Sequence, residues 1–527
     1  MDPYDSLPYE SIAFPETHPS HLCVLGRLLG LPAAEPRSAS VLEIGCASGG
    51  NLIPMAWHLP QASLVGIDLS GAQIEQGLTL LSRLDLTNIE LRQADILDLD
   101  EGIGQFDYII AHGVYSWVPP RVREHLLWLA PRILAPTGLF YVSYNTLPGW
   151  RMRGMLRDML LHASRNAGTP SERLAAANAA MDRLMAALHK LDALSARYLR
   201  EEMAQLRDAH PSYLLFEYLA EYNQAFLFSE FAADTERQGL RYLCDTELRT
   251  LFPSTYGEDV EQALDPIEDG LELEQWLDFV TNRNFRQSVL CRADAALEED
   301  IAVDLDRFAT LSFHCDLRPL KKPDLRREKE GLFVSPGGTR VQVSHPLTKA
   351  ILVHLSGNYP DVVPLRALMP EAAADVRAAG GGDLAAQADA CLAELFSLFA
   401  HRSVSAEPAP RKLPRPDLEK PSVSRLCRAQ VEQGATRVTT VHHGNLDLDA
   451  FASRLLCGLD GTRTIGEASR SLASELASGL LAPPPGVRPD HWPRARLESR
   501  VQDAVQTLVE LFGRQGILRP ADEGVAR

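Results

Sequence analysis

Residues 36–146 alternate short apolar runs with helix-like stretches, and this alternation restricts the chain to few folds. Helix-like stretches such as residues 74–84 and 121–134 separate the runs. A strand–helix–strand rhythm of this kind predicts a parallel sheet with helices on both faces. The predicted fold class is therefore α/β, a Rossmann-like doubly wound sheet. The runs typical of buried strands are residues 41–45, 63–68, 89–92, 106–110 and 138–143.

Length and composition indicate a multidomain globular protein. The chain has 527 residues, and at about 100 to 200 residues per domain this predicts three or four domains. Hydrophobic residues make up 45% and charged residues 23%, which excludes disordered and coiled-coil classes. We predict an α/β domain over residues 1–150. The remaining units are a helical insertion (151–230), a region that could complete the sheet (231–295), a middle α+β domain (296–407) and a C-terminal winged-helix-like domain (420–522).

The internal features of these units support further expectations. Residues 171–207 are predicted as long helix with an apolar stripe, which suits a core or a dimer face. Two strand-like pieces, residues 239–243 and 285–291, could return to the edge of the first sheet. An Ala/Gly patch at residues 371–388 is predicted as a loop that leads into a helix, and a Pro-rich connector spans residues 408–416.

The charge distribution bears on the choice of partner. There are 52 Lys plus Arg against 70 Asp plus Glu, a net charge of -18. Residues 401–527 hold 18 basic and 15 acidic residues, so the net charge is -21 in the first 400 residues and +3 in the rest. This argues against nucleic acid, whose phosphates need clustered basic groups. An acidic body attracts basic protein substrates, although solubility explains the charge equally well.

Cysteine usage and hydropathy indicate the compartment. No C-x-x-C pair occurs, which predicts reduced thiols and no metal site. The N-terminus has no apolar signal region, and no run approaches about 18 apolar residues, so we predict no membrane insertion and a cytoplasmic protein. The eight cysteines are Cys23, Cys46, Cys244, Cys291, Cys315, Cys391, Cys427 and Cys457.

The turn after the first strand carries the chemistry. Glycines there allow a tight turn and the close approach of a nucleotide to the following helix. Gly45-x-Ala47-x-x-Gly50 is a degraded dinucleotide fingerprint, which leaves a nicotinamide-dependent oxidoreductase as one alternative. Glu43 disfavours it, because a carboxylate stabilises an ammonium group and repels a pyrophosphate. The spacing Glu-x-Gly-x-x-x-Gly is similar to that of S-adenosylmethionine-dependent methyltransferases of the Rossmann-like class.

Acidic residues end the next two strands. Asp68 can accept hydrogen bonds from both ribose hydroxyls in either class of enzyme. Asp95 and Ile96 follow the third strand, and the similarity to the methyltransferase class implies that such a pair contacts the adenine amino group and ring. The alternative for Asp95 is a turn or helix cap.

The loop after the fourth strand and the end of the fifth hold the catalytic candidates. Tyr115, Trp117 and Tyr144 are candidates for lining the acceptor channel, because aromatic faces stabilise the positive charge that passes during methyl transfer. Ordinary packing explains each ring equally well. His18 and His112 are candidate bases, with a hydrogen-bonded structural role as the alternative.

These residues resemble a bacterial methyltransferase family with a regulatory domain, whose best-described members are rickettsial protein lysine methyltransferases that act on an outer-membrane protein. The resemblance extends to about residue 295 and is weaker beyond it. Its strongest part is the string at residues 106–119. The other matching segments are residues 17–19, 43–51, 66–70, 73–74, 141–145, 148–150, 278–279, 282–283 and 285–287.

The resemblance implies S-adenosyl-L-methionine as cofactor, S-adenosyl-L-homocysteine as product, a polypeptide substrate with a lysine acceptor, and a homodimer formed through the helical insertion. A methyltransferase for a small molecule and a non-catalytic regulator remain alternatives. Ala47 departs from the family pattern, which has glycine there, and Phe216 stands where relatives tend to have histidine. The predicted cofactor-binding residues are Glu43, Gly45, Cys46, Ala47, Gly49, Asn51, Asp68, Leu69, Gln73, Asp95, Ile96, His112 and Gly113.

Overall fold

The computed structural model describes residues 11–297, 303–382, 388–484 and 492–520. Its largest element is a seven-stranded sheet in the order β3-β2-β1-β4-β5-β7-β6. Strands β1 to β5 are parallel, and β7 runs antiparallel between β5 and β6. The strands are β1 (Ser40–Ile44), β2 (Ser63–Asp68), β3 (Ile89–Gln93), β4 (Phe106–Ala111), β5 (Leu134–Asn145), β6 (Leu240–Asp245) and β7 (Phe285–Arg292).

This sheet confirms the predicted Rossmann-like doubly wound class. The strand order reverses between β1 and β4, and in open α/β sheets ligands bind outside the carboxyl ends of the strands at such a point. The predicted return of residues 239–243 and 285–291 also occurs, because β7 pairs directly with β5 and carries β6 at the sheet edge. The central strands β1, β4 and β5 are mostly buried.

Helices pack on both faces of the sheet, as the alternation of apolar runs requires. Several begin at a proline or a side-chain cap; for example, Ser70 Oγ accepts a hydrogen bond from Gln73 N at 3.3 Å. The α-helices of the first 300 residues are Pro19–Leu28, Leu52–His58, Gly71–Leu81, Pro120–Ile133, Gly149–Ser164, Pro170–Leu188, Leu194–Asp208, Pro211–Tyr213, Phe228–Arg237, Glu258–Leu264 and Gly270–Thr281.

The helical insertion between β5 and β6 forms a core of its own. The prediction of one long helix over residues 171–207 is wrong, because Pro170–Leu188 and Leu194–Asp208 are separate helices that pack against each other. Met181 and Met203 are fully buried between them, whereas Leu191 lies in the connection and is exposed. The apolar stripe therefore serves mainly as a core.

Residues 303–382 and 388–407 complete the hydrophobic core of the front half. Leu22 and Phe308 belong to one continuous cluster of buried side chains. The predicted loop at residues 371–388 is wrong in its first part, since Leu365–Ala378 is a helix; residues 383–387 lie outside the described residues. The helices here are Leu305–Ala309, Pro346–Asn358, Leu365–Ala378 and Ala388–Ala400, with strands β8 (Ser312–His314), β9 (Arg318–Pro319), β10 (Gly331–Val334), β11 (Arg340–Val343), β12 (Val363–Pro364) and β13 (Ser405–Glu407).

The C-terminal part has a separate hydrophobic core. Its short hairpin, β15 and β16, reaches the catalytic domain. Among the described residues, no helix is long and apolar enough to cross a membrane. The C-terminal elements are β14 (Ser422–Val423), helix Arg425–Glu432, β15 (Arg437–Thr439), β16 (Asn445–Asp447), helices Ala450–Gly458, Ile465–Ala477 and Arg494–Arg514, and β17 (Leu518–Arg519).

Candidate functional site

The turn after β1 has an unusual backbone. Gly45, Ala47 and Gly49 all have positive φ, at 73°, 50° and 75°. Glycine is required at position 45, because an added Cβ would lie 2.7 Å from Val114 Cγ2. Ala47 has no such freedom, since a left-handed conformation costs an L-residue roughly 1–2 kcal/mol. The methyl group that departs from the family pattern is therefore tolerated at a cost in backbone strain.

Asp68 holds this turn against the end of β2. Its Oδ2 accepts a hydrogen bond from Ala47 N at 2.8 Å, and its Oδ1 accepts one from Ser70 N at 2.9 Å. The next residue, Leu69, is exposed beside the turn, while Gln73 is buried and its Oε1 has no hydrogen-bond partner. These side chains meet at the carboxyl edge of the sheet, as predicted for a nucleotide site.

Glu43 is buried at the end of β1 with only half of its carboxyl group satisfied. Oε1 accepts a hydrogen bond from Asn51 Nδ2 at 2.7 Å, whereas Oε2 is buried without a partner. Burial raises the pKa of Glu43 to about 8, the Asn51 hydrogen bond opposes this rise, and the charge of Asp68 adds to it. An unsatisfied buried carboxylate oxygen costs free energy, and a cationic hydrogen-bond donor would satisfy it.

Asp95 and Ile96 follow β3, as expected. Asp95 Oδ1 accepts a hydrogen bond from Leu97 N at 2.9 Å, so Asp95 caps the short 3-10 helix Ile96–Asp98. Ile96 is half-buried against the core on that face of the sheet. Asp95 therefore acts as the helix cap that was the alternative interpretation, and only its Oδ1 accepts the hydrogen bond from Leu97 N.

His112 and Gly113 lie where β4 ends. His112 Nδ1 is 2.9 Å from the Tyr141 hydroxyl, and the ring stacks on Phe14 with centroids 3.9 Å apart. Burial lowers the pKa of His112 to about 4, so the ring is neutral at pH 7. Gly113 is exposed with φ of 68°, and its N–H donates to Ser143 Oγ at 2.9 Å.

The aromatic candidates separate into two environments. Tyr115 and Tyr144 are almost fully buried and pack around Phe231, on which Tyr144 stacks with centroids 4.0 Å apart. Burial raises the pKa of both tyrosines. Trp117 is only half-buried, yet its indole Nε1 is shielded and has no hydrogen-bond partner. Their role in an acceptor channel stays a prediction; the Tyr144 hydroxyl lies 3.1 Å from Ser288 Oγ, whereas the Trp117 N–H has no partner.

His18 has a structural task in this chain. Its Nδ1 accepts a hydrogen bond from Ser20 N at 3.1 Å and thereby caps helix Pro19–Leu28. Burial and the neighbouring His443 lower the pKa of His18 well below its ordinary value. The role of His18 as a base stays a prediction, with the cap as its observed contact.

Two segments distant in sequence reach the turn, and no sequence pattern predicted that they would. Ser11 Oγ accepts a hydrogen bond from Gly50 N at 2.7 Å, and a Cβ at Gly50 would lie 2.1 Å from Ser11 O. His443, in the β15–β16 hairpin, donates from Nε2 to Asn51 Oδ1 at 2.8 Å. No local pattern marks either residue, because both contacts are created by tertiary packing.

A separate cavity of about 820 Å³ lies between the catalytic domain and the two C-terminal units. His314, Glu407 and His442 bring their possible ligand atoms within 4.8 Å of one another there. Arg411 donates to Glu407 Oε1 at 2.6 Å and to His442 Nδ1 at 3.1 Å, while His442 Nε2 donates to Pro360 O at 2.9 Å. Because the Arg411 guanidinium already supplies a positive charge beside Glu407 and His442, we assign no metal ion to these side chains.

Three family models match separate parts of the chain. A methyltransferase domain matches residues 41–138, a predicted methyltransferase regulatory domain matches residues 210–292, and the PKMT C-terminal winged helix domain matches residues 419–517. The turn after β1, Asp68 and Asp95 all lie inside the first match. The predicted C-terminal winged helix is thereby confirmed.

Similarity to individual proteins extends across more than one of these units. An uncharacterized protein of Rickettsia prowazekii (strain Madrid E) is 36% identical over 375 residues, 70% of this chain and 68% of that protein. A second protein of the same organism is 36% identical over 240 residues, 46% of this chain and 96% of that protein. PKMT2 from Rickettsia typhi, solved in complex with AdoHcy, is 29% identical with a TM-score of 0.85, covering 97% of this chain and 100% of that one. The chain belongs to this family of S-adenosylmethionine-dependent methyltransferases, which combine a methyltransferase domain, a regulatory domain and a PKMT-type winged helix.

Proposed function

We propose that this methyltransferase transfers the methyl group of S-adenosylmethionine to a lysine amine of a polypeptide. The observation that carries the proposal is the likeness to PKMT2 over nearly the whole chain, C-terminal units included. The similarity includes a PKMT-type winged helix over residues 419–517, which supports a protein substrate.

The cofactor site that we propose lies along the carboxyl ends of β1 to β4. Glu43 Oε2 and Gln73 Oε1 are buried acceptors without partners, which fits a ligand that brings an ammonium group and other donors. Asn51 is fully engaged by protein atoms, so we assign it to orienting Glu43. The remaining proposed contacts are Gly45, Cys46, Ala47, Gly49, Asp68, Leu69, Asp95, Ile96, His112 and Gly113.

We expect Asp68→Asn to weaken binding of S-adenosylhomocysteine by about ten- to hundredfold, measured by titration calorimetry. The expectation corresponds to the roughly 1.5–3 kcal/mol of a hydrogen bond to a charged group. The amide also places an N–H₂ group against Ala47 N or Ser70 N, which disturbs the turn. Asp98→Asn, an exposed acid on the following 3-10 helix, is the matched control and should bind normally. An unchanged affinity for the Asp68 variant would show that the ribose lies elsewhere.

The cofactor supplies an electrophilic methyl group when bound, and the protein positions the attacking amine. In our proposal the loop after β4 borders the reacting atoms, and Trp117 on this loop has a buried indole N–H without a hydrogen-bond partner. The net charge of -21 in the first 400 residues favours the approach of a basic, lysine-bearing segment. His112 stays neutral at pH 7 because burial lowers its pKa to about 4.

Transfer of labelled methyl groups into a lysate tests the acceptor. We expect label in the protein fraction and, after hydrolysis, in methylated lysine. Label in metabolites would favour the small-molecule alternative, and no label with intact cofactor binding would favour a non-catalytic regulator. An Asp68→Asn sample run in parallel shows which label depends on this site.

We also propose the domain division and assembly expected from the sequence. The helical insertion, residues 151–230, is proposed as the homodimer interface, supported by the exposure of Met155, Met159, Leu191 and Leu194. The other proposed units are residues 1–150, 231–295, 296–407 and 420–522. A cytoplasmic location is supported by the eight cysteines, all of which are free thiols, and a bacterial source by the likeness to Rickettsia proteins.

A further inference from the structure

The β15–β16 hairpin of the C-terminal domain inserts its turn into the cofactor-binding turn of the catalytic domain. His443 lies at the tip with φ of 59° and is almost fully buried. Its ring lies against His18, with centroids 4.9 Å apart. The following Asn445 donates from Nδ2 to Ala13 O at 2.7 Å. A residue some 390 positions away in sequence thus becomes part of the surroundings of Asn51.

The hydrogen bonds around Asn51 fix the orientation of its amide, although Thr17 Oγ1 lies within hydrogen-bond distance of both Oδ1, at 3.3 Å, and Nδ2. Its Oδ1 accepts from Phe14 N at 2.9 Å and from His443 Nε2 at 2.8 Å. Its Nδ2 donates to Thr17 Oγ1 at 2.9 Å and to Glu43 Oε1 at 2.7 Å. A flipped amide would face the backbone N–H of Phe14 with another donor, so this orientation is required. His443 therefore carries its proton on Nε2.

Burial makes this network sensitive to the loss of one donor. Asn51, Glu43 and His443 are each no more than about 3% exposed, so water does not replace a missing hydrogen bond there. Burial and the neighbouring His58 lower the pKa of His443 to about 3, so the ring is neutral at pH 7 and acts as a fixed donor. Two consecutive hydrogen bonds, from His443 to Asn51 and from Asn51 to Glu43, therefore connect the C-terminal hairpin to the carboxyl group of Glu43.

We propose that His443 is a positioning residue of the methyltransferase site, which fixes the Asn51 amide and through it the Glu43 carboxyl group that receives the ammonium end of the cofactor. The inference rests on the cofactor site proposed above. It gives the C-terminal domain a task in cofactor binding, in addition to any task in substrate recognition. Cofactor binding and docking of the hairpin are then thermodynamically coupled, each favouring the other.

If His443 only held the hairpin in place, its substitution would have a different effect. Asn445 of the same hairpin provides the control. Asn445 contacts Ala13 but makes no hydrogen bond to Asn51 or Glu43. Asn445→Ala therefore loosens the same hairpin without removing a donor from the network. Two variants remove the donor: H443F keeps a ring against His18, and H443N keeps a side chain that tolerates positive φ but ends short of the Nε2 position.

The test compares S-adenosylhomocysteine with 5′-methylthioadenosine, which has the same nucleoside and sulfur but no amino-acid part. Affinities are measured by calorimetry on the full chain, with thermal unfolding recorded for each variant. We expect H443F and H443N to weaken S-adenosylhomocysteine binding about three- to tenfold, the range of one hydrogen bond, and to leave methylthioadenosine binding within twofold. N445A should leave both affinities within twofold of the wild-type chain.

Three results would overturn the inference: unchanged S-adenosylhomocysteine affinity in folded H443F or H443N, equal weakening of both ligands, or the same selective loss in N445A. Equal weakening would mean that the hairpin only supports the fold of the site. Failure of the wild-type chain to bind S-adenosylhomocysteine would instead contradict the proposed function, which keeps the two failures distinct.

Discussion

Arg286→Met is expected to lower the free energy of unfolding of the catalytic domain by about 3–5 kcal/mol, because it leaves buried carboxylates without their cation. Arg286 is 1% exposed and binds both oxygens of Asp278, at 2.8 and 3.0 Å. It also donates to Glu274 Oε2 at 2.8 Å and lies 3.8 Å from the ring centroid of Phe228. Methionine fills a similar volume but supplies no charge and no donor.

Urea unfolding measures this effect, and a surface pair provides the control. Arg494 is 84% exposed on the helix that pairs it with Glu498 at 2.9 Å, so Arg494→Met should change stability very little. A triple variant that combines Arg286→Met with Asp278→Leu and Glu274→Leu should recover part of the loss, since buried ion pairs are replaceable by well-packed apolar groups. A stable Arg286→Met protein would show that this cluster is hydrated in solution.

The affinity for S-adenosylhomocysteine is expected to rise by up to about tenfold per pH unit from pH 6 to pH 8 and to level off above. Without ligand, burial raises the pKa of Glu43 to about 8, so the carboxyl group is mostly protonated at pH 7. The ammonium group of the ligand favours the ionised carboxylate. Binding near neutral pH must therefore release about one proton, and the free-energy cost of releasing this proton falls as the pH rises.

Calorimetry at pH 7 in buffers of different ionisation enthalpy counts the released proton. Glu43→Gln should bind weakly and show no such slope, whereas Asp98→Asn should retain it. His112 does not contribute to this pH dependence, because burial lowers its pKa to about 4, below the range from pH 6 to pH 8. A flat profile in the wild-type chain would mean that Glu43 does not meet the ammonium group.

The same raised pKa has a consequence for the stability of the free protein. Above the ordinary pKa of about 4.3 the unfolded chain ionises Glu43, whereas the folded chain keeps its proton up to about pH 8. This stability term is fully present below the unfolded pKa and is lost as the pH rises towards the folded value. Glu43→Gln should remove that loss, so it should stabilise the free protein near pH 8 while weakening cofactor binding.

Local patterns predicted much of the catalytic fold. Strands β1 and β4 coincide closely with the apolar runs, because central parallel strands are buried on both faces and are therefore mostly apolar. The turn of Glu43 to Asn51 was recognisable because few residue types tolerate its backbone. The split between helices Pro170–Leu188 and Leu194–Asp208 was not, since propensity over residues 171–207 favours helix throughout and packing decides where it ends.

Residue types and their spacing determined, by themselves, the class of the sheet, the position of the glycine-containing turn after β1 and the acidic residues at the strand ends. These depend on contacts between neighbours in sequence and on the periodicity of burial. Only the tertiary structure decided that β7 enters the sheet between β5 and β6, that Tyr144 lies in a buried aromatic cluster, and that His443 reaches Asn51. Such contacts join residues hundreds of positions apart, and their free energy depends on shape and burial that no local stretch of sequence encodes.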